Sequence, residues 1–256
     1  MASSFVPETL RTSSDFITDL DDSPLVAGTS YALQTSCRNS SSSSFGQTGQ
    51  GCEIGHGRWI EIDSANARAS ANAAGATGYY RPEDLHRDPT FADADRPNAV
   101  RFCFANTGES RGDNYGEVIC AIDNDPGLED SAIQGGNATP PVTVNRFIEG
   151  DTDLNQPDNL AFQPNGILYV IEDNSHGDVW ACLPDGDDRD IKSDGCVKVL
   201  SVVDPTAEPT GFIFHPNGTL AYVVIQHTSD VGLPLVDNFR TDDILIIDGF
   251  SAPAAQ

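Results

Sequence analysis

Basic residues are scarce in this chain. Lysine and arginine number 14 together, against 39 aspartates and glutamates, and the formal net charge is −25. Binding to a phosphate backbone needs clustered Lys and Arg, so nucleic acid is excluded as a partner. Long apolar runs are also lacking. No window of about 18 apolar residues exists, which excludes a transmembrane helix. The N-terminus has no basic region followed by an apolar stretch, so it does not read as a signal peptide; on this reading a signal has been removed or the sequence is incomplete upstream. No C-x-x-C zinc spacing, nucleophile elbow, P-loop or dinucleotide fingerprint appears. The acidic excess has two readings: solubility in a salty setting, or a surface that binds calcium.

What is present begins with a pattern that occurs three times. The copies open Arg81-Pro82-Glu83-Asp84-Leu85, Gln156-Pro157-Asp158-Asn159-Leu160 and Glu208-Pro209-Thr210-Gly211-Phe212. Each runs into an apolar strand (100–105, 167–171 and 220–225) and, past a Gly or acidic turn, a second strand (116–123, 177–183 and 243–248). Gln163-Pro164-Asn165-Gly166 and His215-Pro216-Asn217-Gly218 are matched turns, in which Asn-Gly supplies left-handed positions for a tight hairpin. Segments 142–148 and 197–203 read as outer strands. A repeat built from short strands predicts an all-β, β-propeller-like fold, with about three to four blades of four-stranded antiparallel sheet. Such a count leaves the ring partial, or completed by another chain.

Two units follow. Residues 1–54 read as an irregular Ser/Gly-rich segment, and 55–256 as the blades. Residues 56–63 alternate as a strand anchored by Trp59, and 64–78, rich in small residues but without an apolar stripe, read as a loop with one helical turn.

The six cysteines fall into local couples: Cys37 with Cys52, Cys103 with Cys120, and Cys182 with Cys196. A hairpin would set Cys103 opposite Cys120. Each bridge closes a loop of about 15 residues, worth about 3 kcal/mol in the chain-entropy model. Sequons at Asn39, Asn137 and Asn217 agree with an oxidising compartment, whether extracellular, periplasmic or an organelle lumen. The chain is expected to be secreted and glycosylated.

Several of these residues resemble the PhoX-type alkaline phosphatases. The elements are Tyr80-Arg81-Pro82-Glu83-Asp84, then Pro157 to Phe162 with Asn165-Gly166 and Tyr169 to Asp173, then Thr210-Gly211-Phe212 with His215 to Gly218 and Val224 to His227. The resemblance covers about Tyr79 to Asp248 and corresponds to the C-terminal half of such a protein. It implies a secreted six-bladed propeller with iron and calcium ions at one mouth of the channel, and hydrolysis of phosphate esters. It also implies that Glu83 matches a metal-binding glutamate, that Asp158, Asn159 and Glu172 match positions near the metals, and that His227 closes the last motif. The family's N-terminal half carries a cysteine that bridges the irons, and no matching segment is found here. This chain is therefore expected to be catalytically incomplete alone, whether as a fragment, as one part of a two-chain ring or as a repurposed propeller.

Bottom-up chemistry agrees in outline. The repeat sets Glu83/Asp84, Asp158/Asn159 and Thr210/Gly211 at equivalent positions, which converge on one mouth of a propeller. Carboxylates and amides there are hard oxygen ligands, suited to calcium and ferric iron. The alternative for Asp and Asn is hydrogen bonding to turn backbone; Glu172 sits where acids commonly face solvent, and His227 where a histidine can be structural. The stretch Asp151 to Asn155 opens like a calcium loop but has Gln156 and Phe162 where an EF-hand needs Gly and an acid, so it is not one. The acidic loop 185–194 is a solvated tip or a cation site. The competing function is a non-catalytic extracellular propeller that assembles with another chain or with copies of itself, through strand edges left open.

Overall fold

The structure, a computed structural model, describes residues 29–35, 53–109, 114–124, 142–183, 195–229, 235–236 and 242–251. Its frame is a row of antiparallel meanders. The first blade contains β3 (Pro82–Arg87), β4 (Val100–Asn106), β5 (Glu117–Asp123) and β6 (Val142–Glu149). Beyond β6 its sheet continues into β2 (Gly55–Ile62) and β1 (Ser30–Thr35), making six strands in the order β1-β2-β6-β5-β4-β3. The middle blade is β7 (Pro157–Phe162), β8 (Leu168–Glu172), β9 (Asp178–Cys182) and β10 (Cys196–Ser201). The third is β11 (Glu208–Phe214), β12 (Leu220–Gln226) and β13 (Asp243–Asp248), with three strands among the described residues. This is an all-β, propeller-like fold, as the repeat predicts.

Alternation along β8 explains why the blades stack. Leu168 and Val170 join a core shared with the first blade, including Ala105, Val118 and Ile148. Tyr169 and Ile171, facing the other way, join a core shared with the third blade, including Phe212, Phe214 and Val223. Strand side chains change face at every residue, so a strand apolar at every position must be covered on both sides. Each fully buried Leu, Ile or Val contributes about 1.5–3 kcal/mol, which makes these two interfaces the main source of stability.

A third core lies on the far face of the first blade. There Phe104, Ile119, Val142 and Val144 are covered by Leu33, Ile54, Trp59 and Tyr79. Trp59 is the anchor expected, and its indole N–H also donates to Asp123 Oδ2 at 2.9 Å. Strand β1, which provides part of this cover, lies inside the segment read as irregular; it pairs along its whole length with β2, from Ser30 opposite Ile62 to Thr35 opposite Gly57.

Residues 64–78 also differ from their reading. A 3-10 turn at Ser64–Asn66 leads into helix α1 (Ala67–Ala74), about two turns long. Asp63 Oδ1 accepts from Ala65 N at 3.0 Å to open the 3-10 turn, and Gly75, at φ 76°, ends α1 in the left-handed region. The helix buries no residue, so its lack of an apolar stripe concerns packing rather than helix formation.

Two disulfides are formed as expected. Cys103 lies opposite Cys120 across β4 and β5, and Cys182 opposite Cys196 across β9 and β10. Cys37, Cys52, Asn39, Asn137 and the acidic loop 185–194 lie outside the described residues. Asn217 is exposed at the tip of the β11–β12 turn, where its Oδ1 accepts from Thr219 N at 3.1 Å.

Candidate functional site

The repeated opening is a built device. Each inner strand starts X-Pro, and in the middle and third blades the proline sits against a glycine of the blade before it. A Cβ on Gly116 would lie 2.6 Å from Pro157 Cδ, and one on Gly177 would lie 2.6 Å from Pro209 Cδ. Only glycine lets the next blade approach that closely. Every inner strand then carries a register shift near its start: between Pro82 and Leu85, Pro157 and Asn159, and Thr210 and Phe212. Such bulges re-aim side chains at the end of a sheet. Arg81 and Gln156, each before its proline, take positive φ values of 58° and 51°. Their carbonyls accept from Thr107 N at 3.0 Å and Asp173 N at 2.9 Å.

These openings gather charge at one end of the three blades. Arg81 Nη2 donates to Asp173 Oδ2 at 2.9 Å, and that carboxylate favours the charged guanidinium. Asp158 stands beside them. Burial pushes its pKa up to about 6, helped by the Asp173 and Glu83 carboxylates and opposed by Arg81. Glu208 is raised too, first by burial and then by Asp173. Its Oε1 accepts from Gln226 Nε2 and lies 3.6 Å from His227 Nε2.

The expected metal residues therefore separate. Glu83 and Asp158 belong to this cluster, and His227 reaches its edge through Glu208. Asp84 and Asn159 instead bind the blades together. Asp84 Oδ2 accepts from Leu160 N at 3.0 Å and contacts His86 Nε2 at 3.1 Å. Asn159 Oδ1 accepts from Gly211 N at 3.0 Å and Thr210 Oγ1 at 2.9 Å. Glu172 is buried, and its two oxygens accept from Asn155 N at 2.8 Å and Asp178 N at 3.0 Å. Burial pushes it up to about 7, and both backbone bonds act against that rise. Asp151 Oδ1 accepts from Asp153 N and Leu154 N, the turn role rather than a calcium role.

Arg81, Asp173 and Glu208 were not singled out by the sequence reading. Arg81 and Glu208 occupy the first column of the repeat opening, and aligning that column would have found them. Asp173 follows the end of β8, in the place taken by Thr107 and Gln226 in the other blades.

Carboxylates at this end are chemically suited to a hard cation. Among the described residues, however, no three His, Cys, Asp or Glu side chains stand close enough together to enclose a metal ion. The four cysteines among the described residues are all in disulfides, so none offers a thiolate.

Bladed antiparallel meanders with an acidic cluster at the start of their inner strands define a propeller-like protein. The sequence profile of the family Alkaline phosphatase PhoX matches residues 5–229, and the chain belongs to that family. The match reaches back well before Tyr79 and stops short of β13. No curated protein matches. Among solved structures, the Pyrococcus horikoshii acylaminoacyl peptidase (orthorhombic crystal form) is similar at 15% identity and a TM-score of 0.27, over 55% of this chain and 18% of that one. A likeness of that size carries no argument about fold or function. Family membership supports phosphoesterase function and a metal cofactor in general terms. The two disulfides are consistent with an oxidising, non-cytoplasmic location, and among the described residues no helix is long and apolar enough to cross a membrane.

Proposed function

We propose that this chain supplies part of the catalytic mouth of a secreted, metal-dependent phosphoric monoester hydrolase. The observation that carries the reading is the repeated bulge, which aims Glu83 and Asp158 at the same end of neighbouring blades, beside Arg81, Asp173 and Glu208. Glu83 and Asp158, with Asp173 and Glu208 near them, would each contribute a hard oxygen ligand, of the kind calcium and ferric iron take, to a cation whose coordination other groups complete. A bound cation would supply Lewis-acid polarisation of a phosphoryl oxygen. Arg81 offers a planar pair of donors matched to a phosphate, once its bond to Asp173 is exchanged. The carboxyl of Asp158, raised to about 6, is half-titrated near that pH and ionised at alkaline pH, where it favours cation binding. Four carboxylates facing one guanidinium would repel a phosphate ester until a cation neutralises them. Such a partial donor set leaves the chain alone catalytically incomplete.

The test is hydrolysis of a chromogenic phosphate monoester by the purified chain, with calcium, with calcium and ferric iron, and with chelator. Calcium binding is followed in parallel by calorimetry. Calcium binding lost in Glu83→Gln supports the mouth as a metal site, even without turnover. Absence of both binding and turnover would favour the second reading, a non-catalytic extracellular propeller. That reading draws on the exposed apolar face of the third blade.

A further inference from the structure

Each blade has one face toward the blade before it and one toward the blade after it. Leu160 of β7, Phe212 of β11 and Leu85 of β3 hold matching positions: they pair with Val170, Val223 and Phe104 on their second strands. Leu160 is 0% exposed and Phe212 5%, because each packs on the preceding blade. Leu85 is 56% exposed. The β1–β2 cap covers Phe104, Ile119 and Val142 on that side of the first blade but leaves Leu85 open. Two residues on, the position filled by Phe214 in β11 is Arg87 in β3, also exposed.

At the other end of the row the third blade presents the complementary surface. Tyr169 of the middle blade receives Phe212 and Phe214, with ring centroids 5.8 and 4.8 Å away. Its counterpart in the third blade is Tyr222, which has no blade in front of it among the described residues. Ile213, Tyr222 and Ile246 lie side by side across β11, β12 and β13, exposed by 64%, 37% and 63%. Asp248, opposite Leu220, shares that face, because strand residues two apart point the same way. A contiguous exposed apolar patch of this kind marks an interaction surface.

We infer that two copies of this chain associate head to tail, the third blade of each receiving β3 of the other. Tyr222 and Ile246 cover Leu85, and Arg87 lies over the Tyr222 ring and against Asp248, a pairing of opposite charge at a position that is purely aromatic between the middle and third blades. One chain carries both halves of the contact, and two such contacts related by a two-fold axis close on themselves. The net charge of −25 opposes the association, so it strengthens with salt. This inference rests on blade packing and is independent of the phosphatase reading.

Sedimentation velocity of the whole chain, from low to high micromolar at physiological ionic strength, tests it. The expected result is a dimer. Leu85→Asp and Tyr222→Asp each weaken association by about tenfold or more, with unchanged circular dichroism because both side chains are exposed. Arg87→Glu weakens it as well, and adding Asp248→Arg restores it. A wild-type chain that stays monomeric throughout would overturn the proposal. A dimer that tolerates Leu85→Asp but not Tyr222→Asp would also overturn it, in favour of two third blades meeting face to face.

Discussion

The middle and third blades are built from the same repeat but are held very differently. On β8 every residue from Leu168 to Glu172 is buried. On β13 Ile244, Leu245 and Ile246 are exposed although the strand is just as apolar. The middle blade has a neighbour on both faces, four strands and a disulfide across its outer pair. The third has one covered face and three strands among the described residues. Apolar character alone therefore does not say how much a strand contributes; the number of covered faces does. Substitutions at matched positions should separate the two.

The largest expected effect comes from the doubly covered strand. Leu168→Ala or Ile171→Ala should cost about 2–5 kcal/mol, because a cavity opens in a core that cannot close around it. Ile246→Ala should change the stability of the monomeric chain by no more than about 0.5 kcal/mol. Urea denaturation with both variants checks the contrast. Equal losses would mean that the face of the third blade is already covered in solution. Next in size is the outer edge of the middle blade. Replacing Cys182 and Cys196 together by serine frees a loop with a sequence separation of 14 and should cost about 3 kcal/mol. The same denaturation experiment, with and without reductant, reads it.

How far the sequence shows this contrast depends on the kind of signal. The Pro-Asn-Gly turns and short apolar runs are local, and they locate β8, β9, β12 and β13 within a residue or two, whereas the inner strands β7 and β11 are legible only as repeat openings. The cysteine couples are legible because a hairpin sets their partners opposite each other. β1 escapes notice because its burial comes from a cap over the first blade, which no local pattern announces. α1 escapes because it forms from its alanines and its Gly75 C-cap without burying a face. In the site, residue type alone could not distinguish Asp158 from Asn159. The bulge turns one into the acidic cluster and the other onto the backbone of the next blade.

That distinction gives a smaller prediction. Asn159→Ala removes the acceptor for Gly211 N and Thr210 Oγ1 between the middle and third blades, at a cost of about 1–2 kcal/mol. Asp84→Ala does the same between the first and middle blades, through Leu160 N. Neither should alter calcium affinity by calorimetry. A loss of affinity without a loss of stability would return these two residues to the metal site.

The smallest effect, and the most diagnostic of the acidic cluster, concerns Asp158. Its ordinary value is 3.8, and in the fold it is pushed to about 6 by burial and by Asp173 and Glu83. Ionisation is thus harder in the folded chain than in the unfolded one. The sign follows: stability falls as pH rises from about 4 to about 6, and the loss persists at higher pH. Asp158→Asn removes that penalty. In chelator the variant should be the more stable protein above pH 6, and the two should converge below pH 4. Because the side chain is partly exposed, solvent screening keeps the gain below about 1 kcal/mol. Calcium should reverse the order. A cation held by Glu83 and Asp158 stabilises the wild-type chain by mass action and leaves the variant unmoved. Thermal melts of both proteins, across pH and with or without calcium, contain the whole comparison. A third blade held on one face only, with Glu208 at its start, should melt more gradually without the cation than with it. If calcium raises both melting temperatures equally, Asp158 is not among the groups that hold it, and the carboxylates of this end are a repulsive surface rather than half of a metal site.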